Sequence, residues 1–78
     1  MKKDVKVFST QTCPYCVMVK NYLKSKNVEF ENVDLNKRQK WVSKMVAKSG
    51  QMGVPQLWIG DQVIVGFNVP AINQALGL

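Results

Sequence analysis

The fold is indicated most clearly by residues 5–16, whose sequence is VKVFSTQTCPYC. Valines and a phenylalanine dominate the first half, so we predict a β-strand from Asp4 to Ser9. A polar loop follows, and Pro14 suits the first turn of a helix, where its missing N–H costs nothing. These residues therefore predict a strand that passes through a short loop into a helix, with two cysteines at the helix start.

Apolar residues continue at helical spacing from Tyr15 to Lys26. They form two rows with members three or four residues apart, which is typical of an amphipathic helix. One row holds Tyr15, Met18 and Tyr22, and the other holds Cys16, Val19 and Leu23. Lys20, Asn21 and Lys24 fall on the opposite side of the helix, and we expect Asn27 to end it.

The middle of the chain predicts a second strand and a second helix. Val28 to Leu35 is the strand, with a bulge or a distorted end because its apolar residues do not alternate strictly. Asn36 is the expected cap of the helix, and Gly50 supplies the left-handed residue that ends it. The apolar stripe of this helix is Trp41, Val42, Met45 and Val46.

The C-terminal part predicts a hairpin and a short helix. Two apolar runs, residues 57–59 and 63–65, are joined by a turn that begins at Gly60, which favours an antiparallel pair of strands. Asn68 is expected to cap a last helix that ends at Leu76.

The predicted order is therefore β-α-β-α-β-β-α, an α/β arrangement with a four-stranded mixed sheet flanked by helices. The first two strands are parallel and joined by a right-handed crossover. The nearly continuous apolar residues of the third and fourth strands predict burial on both faces of the sheet. At 78 residues the chain has room for one core, so residues 1–78 are expected to form a single domain.

Composition excludes several classes of function. The chain has no histidine and two cysteines, which rules out Ser-His-Asp and Cys-His catalysis and a complete four-ligand zinc site within one chain. No apolar run is long enough to cross a membrane, and Met1–Asp4 starts no signal peptide, so we expect a cytoplasmic protein. The net charge of +6 comes with no nucleic-acid-binding motif. The lysines are solvated helix faces or, alternatively, a field that attracts anionic partners.

The two cysteines indicate disulfide exchange. Cys13 stands where a helix begins, so unpaired N–H groups and the positive end of the helix dipole favour its thiolate. Cys16 lies nearly one turn further on, within the apolar stripe, and is expected to be more buried and less acidic. The pattern predicts an exposed attacking sulfur and a shielded resolving one. The alternatives are a structural cysteine pair or half of an intermolecular metal site.

Two motifs resemble glutaredoxins: Val7-Phe8-Ser9 followed by Thr12-Cys13-Pro14-Tyr15-Cys16, and Gly53-Val54-Pro55-Gln56-Leu57-Trp58-Ile59-Gly60. The resemblance implies a thioredoxin fold and a cis peptide bond before Pro55. It also implies that the backbone of Val54 pairs with the cysteinyl backbone of glutathione. We expect the ring of Tyr15 to be exposed near the sulfur. The candidate glutathione-binding residues are thus Tyr15, Val54, Pro55, Phe67 and Asn68.

The chain also departs from the glutaredoxin pattern at both ends of the expected glutathione site. Thr10 replaces a lysine, and Val69 stands near where an acidic residue holds the glutathione ammonium. The backbone N–H groups of Phe67 and Asn68 remain available for a carboxylate at the start of the last helix. Gly66-Phe67 followed by a proline is instead similar to the glutaredoxin-like electron donors of ribonucleotide reductase.

The sequence is therefore interpreted as a thiol–disulfide oxidoreductase of glutaredoxin type. Cys13 attacks, and Cys16 or glutathione resolves the mixed disulfide. We expect no bound cofactor, glutathione as co-substrate, disulfide-containing proteins as substrates, and a monomer. One alternative is a hydrogen donor recharged by thioredoxin reductase. Another class is an iron–sulfur cluster carrier bridged through glutathione in a dimer, against which Pro14 argues.

Overall fold

A four-stranded mixed sheet organises the protein. The computed structural model describes residues 4–78, so Met1–Lys3 of the expected domain lie outside the described residues. The elements are β1 (Val5–Ser9), α1 (Pro14–Ser25), β2 (Glu31–Asp34), α2 (Lys40–Ser49), β3 (Gln56–Ile59), β4 (Gln62–Val65) and α3 (Val69–Leu76). The predicted order is confirmed.

The strands lie in the order β2-β1-β3-β4. β1 is parallel to β2 and antiparallel to β3, and β3 is antiparallel to β4. Gln56, the first residue of β3, pairs with Phe8 on one side and with Val65 on the other. The loop after β1, the loop before β3 and the segment after β4 therefore meet at one end of the sheet.

Each face of the sheet carries its own hydrophobic cluster, because successive side chains of a strand point to opposite faces. Val7 of β1 belongs to a cluster with residues of α1 and α3, including Leu23 and Ile72. The next residue, Phe8, belongs to a second cluster with Met45 of α2. α1 and α3 thus cover one face, and α2 covers the other.

Burial corrects two predictions about apolar residues. β3 is buried on both faces, but β4 is the edge strand and Val65 is 38% exposed, so burial of both strands was wrong. In α1 the row of Cys16, Val19 and Leu23 is buried as predicted. Met18 of the other row is exposed, because the side of α1 that meets the sheet is narrower than the apolar pattern suggested.

The second strand is shorter than predicted. It covers Glu31–Asp34 rather than Val28–Leu35. The chain leaves α1 through Asn27, which adopts a left-handed φ of 57°, and the N–H of Val28 bonds to the carbonyl of Leu23. Val28 and Phe30 lie in the loop before β2 and pack against the first cluster. They are apolar because of this packing and not because they belong to a strand.

Asn36 does not cap α2, which corrects another prediction. The helix begins at Lys40, and its N-cap residue Gln39 makes no side-chain capping bond. Asn36 lies in a turn in which its own N–H donates to Asp34 Oδ1 at 2.9 Å. Its side-chain oxygen accepts from the N–H of Gln11 at 3.2 Å, in the loop before the cysteines. Gly50 does end α2, with a φ of 76°.

Candidate active site

Cys13 is the N-cap residue of α1. Its backbone is extended, and its Sγ accepts a hydrogen bond from the N–H of Cys16 at 3.1 Å. Pro14 is the first helical residue, as predicted. An N–H bond and the positive end of the helix both stabilise negative charge on this sulfur. That Cys13 is a thiolate in the reduced protein stays a prediction.

The two cysteines differ in exposure. They are joined as a disulfide, with their Cα atoms 5.2 Å apart. Cys13 is half-buried, whereas Cys16 is 1% exposed and belongs to the buried row of α1. A thiol or disulfide from solution therefore has access to Cys13 first. The assignment of Cys13 as attacking and Cys16 as resolving residue stays a prediction that agrees with this exposure.

The loop between β1 and α1 is fixed by polar contacts to the β2 side of the sheet. Ser9 Oγ donates to Asn32 Oδ1 at 2.7 Å, and the carbonyl of Ser9 accepts from the N–H of Leu35 at 2.9 Å. Further along, Asn36 holds the N–H of Gln11. These contacts fix the conformation of the loop that connects β1 to Cys13 at the start of α1.

The loop before β3 reaches the same end of the sheet. The peptide bond between Val54 and Pro55 is cis, as the resemblance implied. The carbonyl of Pro55 accepts from the N–H of Gly66 at 2.8 Å, which ties this loop to the segment after β4. Pro55 is buried, whereas Val54 is half-buried and packs against the second cluster.

The other candidate binding residues lie near the same end of the sheet and differ in solvent exposure. Tyr15 is 61% exposed, as expected. Phe67 is half-buried, and its ring meets that of Tyr22 edge-on, with centroids 6.2 Å apart. Asn68 caps α3 as predicted, since its Oδ1 accepts from the N–H of Ala71 at 3.3 Å. A role for these residues in binding glutathione stays a prediction.

The described part of the chain has no metal cluster and no helix that could span a membrane, and its cavity lies away from the cysteines. Among residues 4–78, no three His, Cys, Asp or Glu side chains gather as a metal site. None of the helices in that range is long and apolar enough to cross a membrane. A cavity of about 550 Å³ lies at the far end of β1, lined by Val5, Phe30 and Leu76 among others, and includes neither cysteine.

The cysteine pair and the cis-proline loop both lie within the part of the chain that matches a known family. The sequence model of the glutaredoxin family matches residues 5–64. The chain belongs to the glutaredoxin family.

Individual relatives agree with this assignment. The chain is 42% identical over 72 residues to an uncharacterized glutaredoxin-like 8.6 kDa protein in the rubredoxin operon of Clostridium pasteurianum, covering 92% of this chain and 96% of that one. It is 35% identical over 63 residues to glutaredoxin 3 of Escherichia coli K12, covering 81% and 76%. The glutaredoxin of Archaeoglobus fulgidus superposes with a TM-score of 0.86 at 28% identity, covering 94% and 85%. The expected thioredoxin fold is confirmed.

Several basic side chains among residues 4–78 have partners at the surface. Glu31 pairs with Arg38 at 2.9 Å and with Lys6 at 3.5 Å. The hydrogen bond from Arg38 is the main cause that lowers the pKa of Glu31. On α2, Lys44 lies over the ring of Trp41, and Lys48 lies over that of Trp58. These contacts fit the solvated-surface interpretation, and attraction of anionic partners stays a prediction.

Sequence reasoning missed the residues that position this site through their side chains. Gln11 and Asn36 join the active-site loop to the turn before α2, and Gln56 holds the loop before β3. One signal was present: Gln56 is a polar residue at the start of an otherwise apolar strand. Gln11 and Asn36 carry no such signal, because loop residues of either type are ordinarily solvated.

Proposed function

We propose that this thiol–disulfide oxidoreductase of the glutaredoxin family uses glutathione as its electron donor, with no bound cofactor. The observation that carries the chemistry is Cys13 Sγ at the start of α1, where it accepts the N–H of Cys16. The contrast in exposure between the two cysteines supports the division of roles. The expected substrates are protein disulfides and glutathione mixed disulfides.

The proposed reaction uses both sulfurs in turn. The Cys13 thiolate attacks one sulfur of the substrate disulfide, forms a mixed disulfide and expels the other sulfur as a thiolate that takes up a proton. Cys16 loses its proton and attacks Cys13 Sγ, which releases the second substrate thiol and leaves the Cys13–Cys16 disulfide. The substrate has then gained two electrons and two protons.

Glutathione completes the cycle in two steps. A first glutathione thiolate attacks Cys13 Sγ and frees the Cys16 thiol. A second attacks the glutathione sulfur of this mixed disulfide, which gives glutathione disulfide and the Cys13 thiolate. A low pKa of Cys13 contributes mainly here, because a more acidic thiol is a better leaving group while its own attack rate changes little near neutral pH.

A coupled assay tests the electron donor. The protein is given a disulfide substrate with either glutathione and glutathione reductase or thioredoxin reductase, each with NADPH. We expect NADPH oxidation with the glutathione system. Turnover with thioredoxin reductase alone would contradict the proposal and assign the protein to the hydrogen-donor alternative.

One observation favours that alternative as a second candidate. Neither Thr10 nor Val69 carries the charge that the glutaredoxin pattern places at these positions. Val69 is instead the first residue of α3, and Phe67 packs against the first cluster. The same assay distinguishes the two donors.

We further propose that the protein works as a monomer in the cytoplasm. Glutathione keeps thiols reduced in that compartment, so the Cys13–Cys16 pair would be regenerated there. Size-exclusion chromatography of the reduced protein checks the oligomeric state. A dimer that absorbs visible light after anaerobic purification would favour cluster binding instead.

Val69→Asp is expected to improve the use of glutathione. The substitution places a carboxylate at the first residue of α3, near the proposed position of the glutathione ammonium. A partly exposed charge contact contributes about 0.2–1 kcal/mol, so the KM for glutathione should fall by up to about fivefold. Steady-state kinetics at several glutathione concentrations measure the change.

Val69→Asn is the matched control for charge at this position. It has nearly the same shape and lacks the negative charge, so it should leave the KM near that of the wild type. Equal KM values for the aspartate and asparagine variants would show that the ammonium does not lie beside α3.

A further inference from the structure

The loop between α2 and β3 is held by one buried side chain. Gln56 Nε2 donates to the carbonyl of Gln51 at 3.0 Å and to that of Gly53 at 2.8 Å. Both carbonyls belong to the segment that leads into Val54. The amide of Gln56 thus fixes the chain on the N-terminal side of the residue expected to pair with substrate backbone.

Ser49 holds the same loop from the end of α2. Its Oγ lies 3.0 Å from the carbonyl oxygen of Gln51 and accepts the N–H of Gln51 at 3.2 Å. The Oγ also lies 2.9 Å from the carbonyl oxygen of Met45, so its single proton serves one of two acceptors. Gln51 is therefore held from two sides, by Ser49 and by Gln56, and Gln56 alone also bonds to Gly53.

The chain is also fixed on the C-terminal side of Val54. The carbonyl of Pro55 accepts the N–H of Gly66, and the Val54 side chain packs against the second cluster. None of the backbone hydrogen bonds that close turns and loops within residues 4–78 engages Val54. The residues on either side of Val54 are thus held, while its own N–H and carbonyl appear in none of these hydrogen bonds.

The orientation of the Gln56 amide follows from these contacts. The residue is fully buried, and its Oε1 has no partner among the residues that the structure describes. Turning the amide over would set Oε1 against two carbonyl oxygens, so only the observed orientation forms hydrogen bonds. An unpaired buried oxygen destabilises the fold. Gln56 therefore holds the loop although its unpaired Oε1 destabilises the fold, and an apolar residue of equal length would not carry that oxygen.

We propose that Gln56 is a positioning residue that sets the orientation of the Val54 peptide groups and thereby the affinity for substrate backbone. The inference rests on the proposed exchange function, because it needs a peptide-like substrate at Val54. Gln56 touches neither the cysteines nor the reacting sulfurs. It acts through the carbonyls of Gln51 and Gly53.

Gln56→Met tests the proposal because methionine has a similar length and no hydrogen-bonding amide. The probe is a short peptide that carries a glutathione mixed disulfide on its cysteine. We expect the KM for this peptide to rise about tenfold, which corresponds to about 1.4 kcal/mol of lost binding. The kcat should change much less, and hydrogen exchange at residues 51–54 should become faster.

The melting temperature separates positioning from a structural role. Gln56→Met removes one unpaired buried oxygen and two hydrogen bonds to exposed residues, and these effects oppose each other, so we expect a melting temperature close to that of the wild type. Gln62→Met, at an exposed position of β4, is the matched control and should leave KM unchanged. An unchanged KM in a folded Gln56→Met, or equal losses in KM and stability, would overturn the proposal.

Ser49→Ala provides a second test if Gln56→Met does not fold. It should raise the same KM by a smaller factor, whereas Ser43→Ala, which removes an exposed hydroxyl from the same helix, should not. Equal KM values for the two serine variants would then overturn the proposal. Alkylation of reduced Cys13 by iodoacetamide is measured in every variant. A failure of the exchange function appears there as an unreactive Cys13, whereas a failure of this inference leaves Cys13 reactive.

Discussion

Cys13→Ser is expected to abolish disulfide exchange, whereas Cys16→Ser should retain activity on glutathione mixed disulfides. The reason is the difference in exposure and position: Cys13 begins α1 and is accessible, and Cys16 is buried. Without Cys13 no sulfur can attack, so turnover should fall to the uncatalysed background. Without Cys16 the mixed disulfide at Cys13 is still resolved by glutathione. NADPH oxidation coupled through glutathione reductase measures both variants.

The two variants should differ again on an intramolecular protein disulfide. Its reduction by one enzyme molecule needs the second thiol, so Cys16→Ser should be strongly impaired in that assay. Far-ultraviolet circular dichroism controls for folding of both proteins. Equal losses of activity on a glutathione mixed disulfide would show that the two cysteines do not divide the reaction as proposed.

Leu23→Ala is expected to cost a large part of the folding free energy. Leu23 is 0% exposed and lies in the first cluster with Val7 and Ile72. Truncation of a buried leucine costs about 2–5 kcal/mol. Since native proteins gain about 0.05–0.15 kcal/mol per residue, a chain of this size has only about 4–12 kcal/mol in total. Urea unfolding of the reduced proteins measures the difference.

Met18→Ala is the matched control within the same helix. Met18 is 45% exposed, so its truncation should change the free energy of unfolding by less than about 0.5 kcal/mol. Similar losses for the two variants would mean that α1 does not meet the sheet through the row that contains Leu23.

The fold was predictable where one periodic pattern coincided with one buried face. β1 and the buried row of α1 follow the periods of a strand and a helix, and the loop-to-helix junction at Pro14 is a local signal. β4 was harder, because its apolar residues resemble those of β3 although it lies at the sheet edge. Strand order is a long-range property, so a short apolar run does not reveal whether a further strand covers it.

Asn36 shows a second limit of sequence reasoning. Its side chain is suited to a helix cap, and a helix follows within a few residues. In the structure its oxygen is taken by the N–H of Gln11, which lies 25 positions away in the chain. Local propensity cannot weigh a contact of this range, so the preference for a cap was wrong here.

The same contrast applies to the candidate site. The spacing and context of Cys13 and Cys16 pointed to the chemistry, and the resemblance implied the cis bond before Pro55. The polar contacts of Gln56 with Gln51 and Gly53 could not be derived, because they depend on the path of a loop. Residues that react were thus more predictable than residues that hold them.

The acidity of Cys13 is the most direct test of the central claim, that the start of α1 makes this sulfur a thiolate for exchange. The rate of iodoacetamide alkylation of reduced Cys16→Ser is measured against pH, so that Cys13 alone reports. Because the N–H of Cys16 and the helix end stabilise the thiolate, the midpoint should lie clearly below the free-thiol pKa of about 8.5. A midpoint at or above that of a free cysteine would contradict the account.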